Sequence, residues 1–136
     1  FLGVLYRCGT IAFAESVRCT NGLFFVSKKG DALRMIIDAR RANSFFRAPP
    51  SECNSNASCF GRLRVPPGEK MYISHYGVRD FFYRLAIPWK LAQYFGLPSV
   101  PREALKAEAG ASALDHLPSG LDAIHPFAQV LPMGFS

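Results

Sequence analysis

The chain alternates short apolar runs with turn-forming residues. Leu23-Phe24-Phe25-Val26 and the run LRMIID at 33–38 flank Lys28-Lys29-Gly30-Asp31. Two β-prone runs about a Lys-Gly-Asp turn predict a hairpin. In its second strand the period of two sets Leu33, Met35 and Ile37 on one face and Arg34, Ile36 and Asp38 on the other. Residues 1–18 predict one or two helical turns. ARRANSFFR at 39–47 runs into Ala48-Pro49-Pro50, where regular structure stops. Residues 51–59 read as a loop or short helix, and Pro66-Pro67-Gly68 is a second break. MYISHYGV at 71–78 predicts a strand that RDFFYRLAI at 79–87 continues. Pro88 can open a helix, WKLAQYF supplies its body and Gly96 ends it. Residues 99–126, rich in Ala, Pro, Ser and Gly, predict a loosely packed connector with a weak helix at 102–116. QVLPMGFS at 129–136 predicts a short strand and a turn.

Composition narrows this picture. The chain has 136 residues, 49% of them apolar, which suits one small domain with a core of its own. No apolar run approaches the roughly 20 residues of a membrane span, so no membrane partner is expected. Phe1 and Ser136 both read as cut from a longer chain. The net charge of +6 is uneven. Residues 1–68 carry ten Lys/Arg against four Asp/Glu, and residues 96–136 carry two against four. A basic front half suits a polyanion such as nucleic acid or a nucleoside triphosphate, and equally a solvated basic surface. Cys8, Cys19, Cys53 and Cys59 lack the spacing of a disulfide framework or a zinc knuckle, so free thiols and an intracellular setting are expected.

Common enzyme signatures are missing: there is no phosphate loop, no GxSxG elbow and no HExxH. His75, His116 and His125 are scattered, without ligand spacing.

Three segments carry more information. They are LRMIIDARRAN at 33–43 after Lys28 and Lys29, YGVRDFFYRLAIP at 76–88, and VLPMGFS at 130–136. In this order they resemble the reverse transcriptases of retroviruses and retrotransposons, whose fingers strand reads xRxxxDxRxxN, whose palm strand reads DVxDxFYxIxIP, and whose next segment reads LPxGxS. The resemblance spans about 23 to 136. It implies an α+β fold: a fingers β-hairpin plus part of an antiparallel palm sheet with flanking helices. Residues 1–68 would be fingers-like, 69–98 the first palm strand and helix, 99–128 a variable connector, and 129–136 the start of the LPxGxS segment.

The resemblance also implies roles. Arg34 matches the arginine that contacts the triphosphate, and Lys28 or Lys29 matches the fingers lysine. A guanidinium forks to phosphate and an ammonium adds point charge. Asp38, Arg40 and Asn43 match residues that hold the fingers together. Phe82 matches the bulky residue that excludes a ribose 2′-hydroxyl, or it is a core aromatic. Leu131, Pro132, Met133 and Gly134 match the loop beside nucleotide and template. Asp80 matches the second acidic residue of the palm strand, near the nucleotide.

One position departs from the pattern. The aspartate that binds both catalytic magnesium ions falls at Gly77, which offers no side-chain oxygen. The Tyr-x-Asp-Asp turn would lie beyond Ser136 and is absent. No catalytic residue is therefore intact, and Mg²⁺, the cofactor of the family, is expected to bind this chain poorly. The implied partners are an RNA template, a DNA primer, a deoxynucleoside triphosphate and the remainder of the polymerase domain. The competing reading is a non-catalytic, basic nucleic-acid-binding module.

Overall fold

The Lys-Gly-Asp turn does make a hairpin. Strands β2 (Gly22–Lys28) and β3 (Ala32–Asp38) pair antiparallel from Gly22↔Asp38 to Lys28↔Ala32. Gly30 at φ 80° and Asp31 at φ 54° reverse the chain. A positive φ costs glycine nothing and is tolerated by aspartate. The computed structural model describes residues 1–47, 57–133 and 135. The chain divides into two units, Phe1–Arg47 with Asp80–Ser136, and Ala48–Arg79.

In the larger unit, helix α1 (Leu2–Arg7) leads into strand β1 (Ile11–Ala14). A one-turn helix, α2 (Arg40–Asn43), follows the hairpin. After the second unit come a 3-10 turn at Phe81–Arg84 and helix α4 (Trp89–Ala92), opened by Pro88 at φ −66°. Next are the short strand β4 (Val100–Pro101), helix α5 (Arg102–Ala109) and strand β5 (Ala123–Ala128). Strand β5 is central, antiparallel to β1 on one side and to β4 on the other. The fold is α+β with antiparallel sheets, as expected.

Two expectations need correction. Residues 99–128, read as a loose connector, hold much of the core: Leu105, Leu114 and Ile124 are fully buried with Ile11 and Phe13. Composition misled because alanine and proline pack well where neighbours are close, as at Ala113, Pro126 and Ala128. Residues 71–78 are not a strand. They lie in the smaller unit, all exposed, with no ladder partner among the described residues. β-propensity expresses fit to a half-buried pleated surface, and the described residues pair no strand with them. In that unit helix α3 (Ala57–Phe60) is the one regular element among the described residues.

One narrow joint ties the hairpin root to the central sheet. Gly96 pairs with Thr20 in parallel and with Phe127 antiparallel. Its N–H donates to Cys19 O at 3.1 Å, and its carbonyl accepts from Asn21 N at 2.8 Å. Buried Asn21 seals the joint, donating through Nδ2 to Tyr94 O at 2.8 Å and Gly96 O at 3.1 Å. A methyl at position 96 would run into Val17 Cγ2 and stand 2.8 Å from Cys19 O. Gly96→Ala is therefore expected to cost about 1–3 kcal/mol by overpacking, read as a lower denaturation midpoint. At Gly77, where an added Cβ meets nothing within 4 Å, alanine should leave the midpoint within about 0.5 kcal/mol.

Candidate functional site

The register of the hairpin fixes which side chains share a face. Leu23, Phe25, Leu33, Met35 and Ile37 lie on one face; Phe24, Val26, Lys28, Arg34 and Ile36 lie on the other. The first face packs inward at its root, where Ile37 is buried and Leu23 joins the core around Phe95. Toward the tip both faces meet water, and Lys28, Lys29 and Arg34 are all exposed. None of the three pairs with a carboxylate among the described residues. Their charge is available to an anion.

At the root the ions are paired. Arg40 donates to Asp38 through Nε at 2.8 Å and through its backbone N–H at 3.2 Å. This guanidinium holds the Asp38 carboxyl below its ordinary range. The pair is local, joining the end of β3 to the first residue of α2, with the Arg40 side chain largely exposed.

The three sequence segments meet at one place in the larger unit. Residues 85–87 run antiparallel to 129–131: Ile87 N donates to Gln129 O at 3.0 Å, and Leu131 N donates to Leu85 O at 2.9 Å. Beside this pairing lies an apolar depression lined by Thr10, Ile11, Met35, Ile37, Tyr83, Ala128, Val130, Leu131, Pro132 and Met133. It encloses about 20 Å³, far less than the roughly 300–1,000 Å³ of ligand pockets. Strand β3, the 3-10 turn at Phe81–Arg84 and residues 130–133 each contribute to its wall.

Of the residues read as nucleotide-binding, Met133 lines this depression. Lys28, Lys29, Arg34, Asp80 and Phe82 do not. Arg34 lies on the hairpin face opposite Met35, so the pleat points it elsewhere. Asp80 adopts a left-handed φ of 54° and starts the 3-10 turn, accepting from Tyr83 N at 3.0 Å. Phe82 packs edge-on against Phe81, their centroids 5.6 Å apart, and stays 37% exposed. Tyr83, the next residue, turns to the depression instead. Three consecutive aromatics concealed which one would do so, whereas the alternation of 33–38 already grouped Met35 with Ile37. Gly134 lies outside the described residues. Gly77 is exposed and belongs to the smaller unit.

No cluster of three or more His, Cys, Asp or Glu fit to hold a metal occurs among the described residues. His116 Nε2 lies 3.0 Å from Phe13 O, a contact within the fold. Cys8 and Cys19 are free thiols, with burial pushing Cys19 up; Cys53 lies outside the described residues. No helix among the described residues is long and apolar enough to cross a membrane. No family model, curated protein or solved structure matches the chain.

The Asp38–Arg40 pair gives a pH prediction. A carboxyl whose folded pKa is depressed stabilises the fold above its unfolded pKa of about 3.9, and that contribution is lost as pH falls through the lower folded value. Carbon-13 NMR titration should find Asp38 below ordinary aspartates, and Arg40→Ala should return it toward them.

Proposed function

We propose that this chain is the fingers and partial palm of a retroelement-type reverse transcriptase, the part that holds template and nucleotide, and that it does not polymerise by itself. The observation that carries the reading is the meeting of three segments distant in sequence. Met35 and Ile37, Tyr83, and Leu131 to Met133 wall one depression. Further support comes from a hairpin that presents Lys28, Lys29 and Arg34 to solvent, where phosphate can reach them.

The predicted inactivity rests on carboxylates. Two-metal phosphoryl transfer needs acidic side chains that set the ions roughly 4 Å apart. Gly77 contributes no side-chain oxygen, and the single carboxylate of Asp80, three residues on, cannot by itself fix two ions. Mg²⁺ and the triphosphate would need a more complete site. Primer extension on a primed RNA template tests this. The 136-residue chain should incorporate no nucleotide, and neither should its Gly77→Asp variant, which the open space at position 77 accommodates. The same substitution in a longer chain carrying a Tyr-x-Asp-Asp turn should give magnesium-dependent extension. Incorporation by the unmodified chain would overturn the reading.

A second reading, a non-catalytic basic nucleic-acid-binding module, is favoured by one specific observation. Arg34 and the two lysines stand apart from the depression, on an open surface. Such a surface binds a polyanion by counterion release, so affinity falls as salt rises. Binding of a single-stranded RNA should weaken steeply between low and physiological salt. Replacing Lys28, Lys29 and Arg34 together by alanine should flatten the log–log slope by about 2, at roughly 0.7 per lost phosphate contact. Binding independent of salt would exclude this surface.

A further inference from the structure

Asn21 fastens the hairpin root to segment 95–97, and Gly22 follows it. Of the four asparagines in the chain, Asn21 alone precedes glycine. Asparagine is thermolabile, and most so before glycine. A residue without Cβ lets its backbone nitrogen swing onto the preceding side-chain carbonyl. In the fold that movement is blocked. Asn21 is 2% exposed. Its Nδ2, which would have to leave, donates to Tyr94 O at 2.8 Å and to Gly96 O at 3.1 Å. Its backbone N–H donates to Gly96 O at 2.8 Å. Gly22, which would have to attack, is held in the hairpin ladder opposite Asp38.

We propose that Asn21-Gly22 is a deamidation site that the native joint keeps closed, and whose reaction, once the joint opens, permanently unfastens the hairpin root. The backbone nitrogen of Gly22 attacks Asn21 Cγ. The N–Cγ bond forms and the Cγ–Nδ2 bond breaks. The proton lost from the Gly22 nitrogen passes through solvent to Nδ2, which leaves as ammonia. Water then opens the cyclic imide at either carbonyl, giving aspartate or isoaspartate at position 21. No oxidant or reductant takes part. Both products replace a two-proton donor by a carboxylate, which only accepts. Tyr94 O and Gly96 O then lose the Nδ2 donor and face a negative charge in a buried place. Isoaspartate also lengthens the main chain by one carbon, next to the paired position Gly22. The joint cannot close again, and the hairpin that carries Lys28, Lys29 and Arg34 loses its mounting.

The test holds the 136-residue chain in mildly alkaline buffer, native or unfolded in guanidinium, and follows aspartate and isoaspartate at position 21 by peptide mapping. The native chain should react at least about tenfold more slowly, because reaction waits for local opening. After dilution from guanidinium, the fraction that regains hydrogen-exchange protection at the Asn21 and Gly96 amides should fall in step with the loss of Asn21. Gly22→Ala separates the chemistry from the fold. An added Cβ there meets Asp38 Cβ at 3.6 Å, an ordinary contact, so the native circular dichroism should persist. Ring closure in the unfolded chain should slow at least about tenfold, and the ability to refold should survive the same incubation. Asn21→Asp supplies a product directly and should lack the amide protection at Gly96. Equal rates in native and unfolded chains, full refolding of deamidated chain, native protection at Gly96 in Asn21→Asp, or loss of refolding by Gly22→Ala at the unmodified chain's pace would each overturn the proposal.

Discussion

The larger unit depends on the close approach at Gly96. Segment 95–97 lies between the hairpin root at 19–21 and strand β5, accepting and donating on both sides. Without a side chain at 96, the backbone of Cys19 can come close enough to hydrogen bond. Asn21 Nδ2 then adds a second donor to the Gly96 carbonyl and one to the Tyr94 carbonyl. Phe95 and Leu97, on either side, are driven fully into the interior. A strand-like joint of a few residues thus couples the hairpin to the sheet, and side chains could not substitute for it.

From that joint the position of the functional candidates follows. The hairpin is anchored at its root by Ile37 and Leu23 and clamped by Asp38 and Arg40, while its tip is left in water with three cations. No carboxylate among the described residues pairs with these charges. The depression behind the hairpin is apolar and too small for a nucleotide.

Local pattern was a good guide where an element is stabilised by its own neighbours. The hairpin and the first helix follow from turn residues, breakers and periodicity, while the helices after Pro88 and from Arg102 begin where expected but stop at Ala92 and Ala109, short of Gly96 and residue 116. Pattern failed where an element's state depends on a distant partner. Strand β1 at Ile11–Ala14 and strand β5 at Ala123–Ala128 are short and carry small residues, and they are strands because each pairs with the other across more than a hundred positions. Residues 71–78 are the reverse case, with a local preference for a strand and no ladder partner among the described residues.

The sequence by itself determined the three ordered segments, the cations on the hairpin and the glycine at position 77, since these are matters of residue identity and spacing. It also determined that Arg34 and Met35 point to opposite faces, because a strand alternates whatever it packs against. Tertiary structure alone decided that Tyr83, and not Phe82, turns to the depression. It alone decided that the Ala- and Pro-rich stretch beyond residue 99 is core, and that Gly96 is the joint on which the hairpin is mounted. Each of these depends on which atoms from far along the chain arrive within a few ångströms, and one-dimensional pattern does not encode that distance.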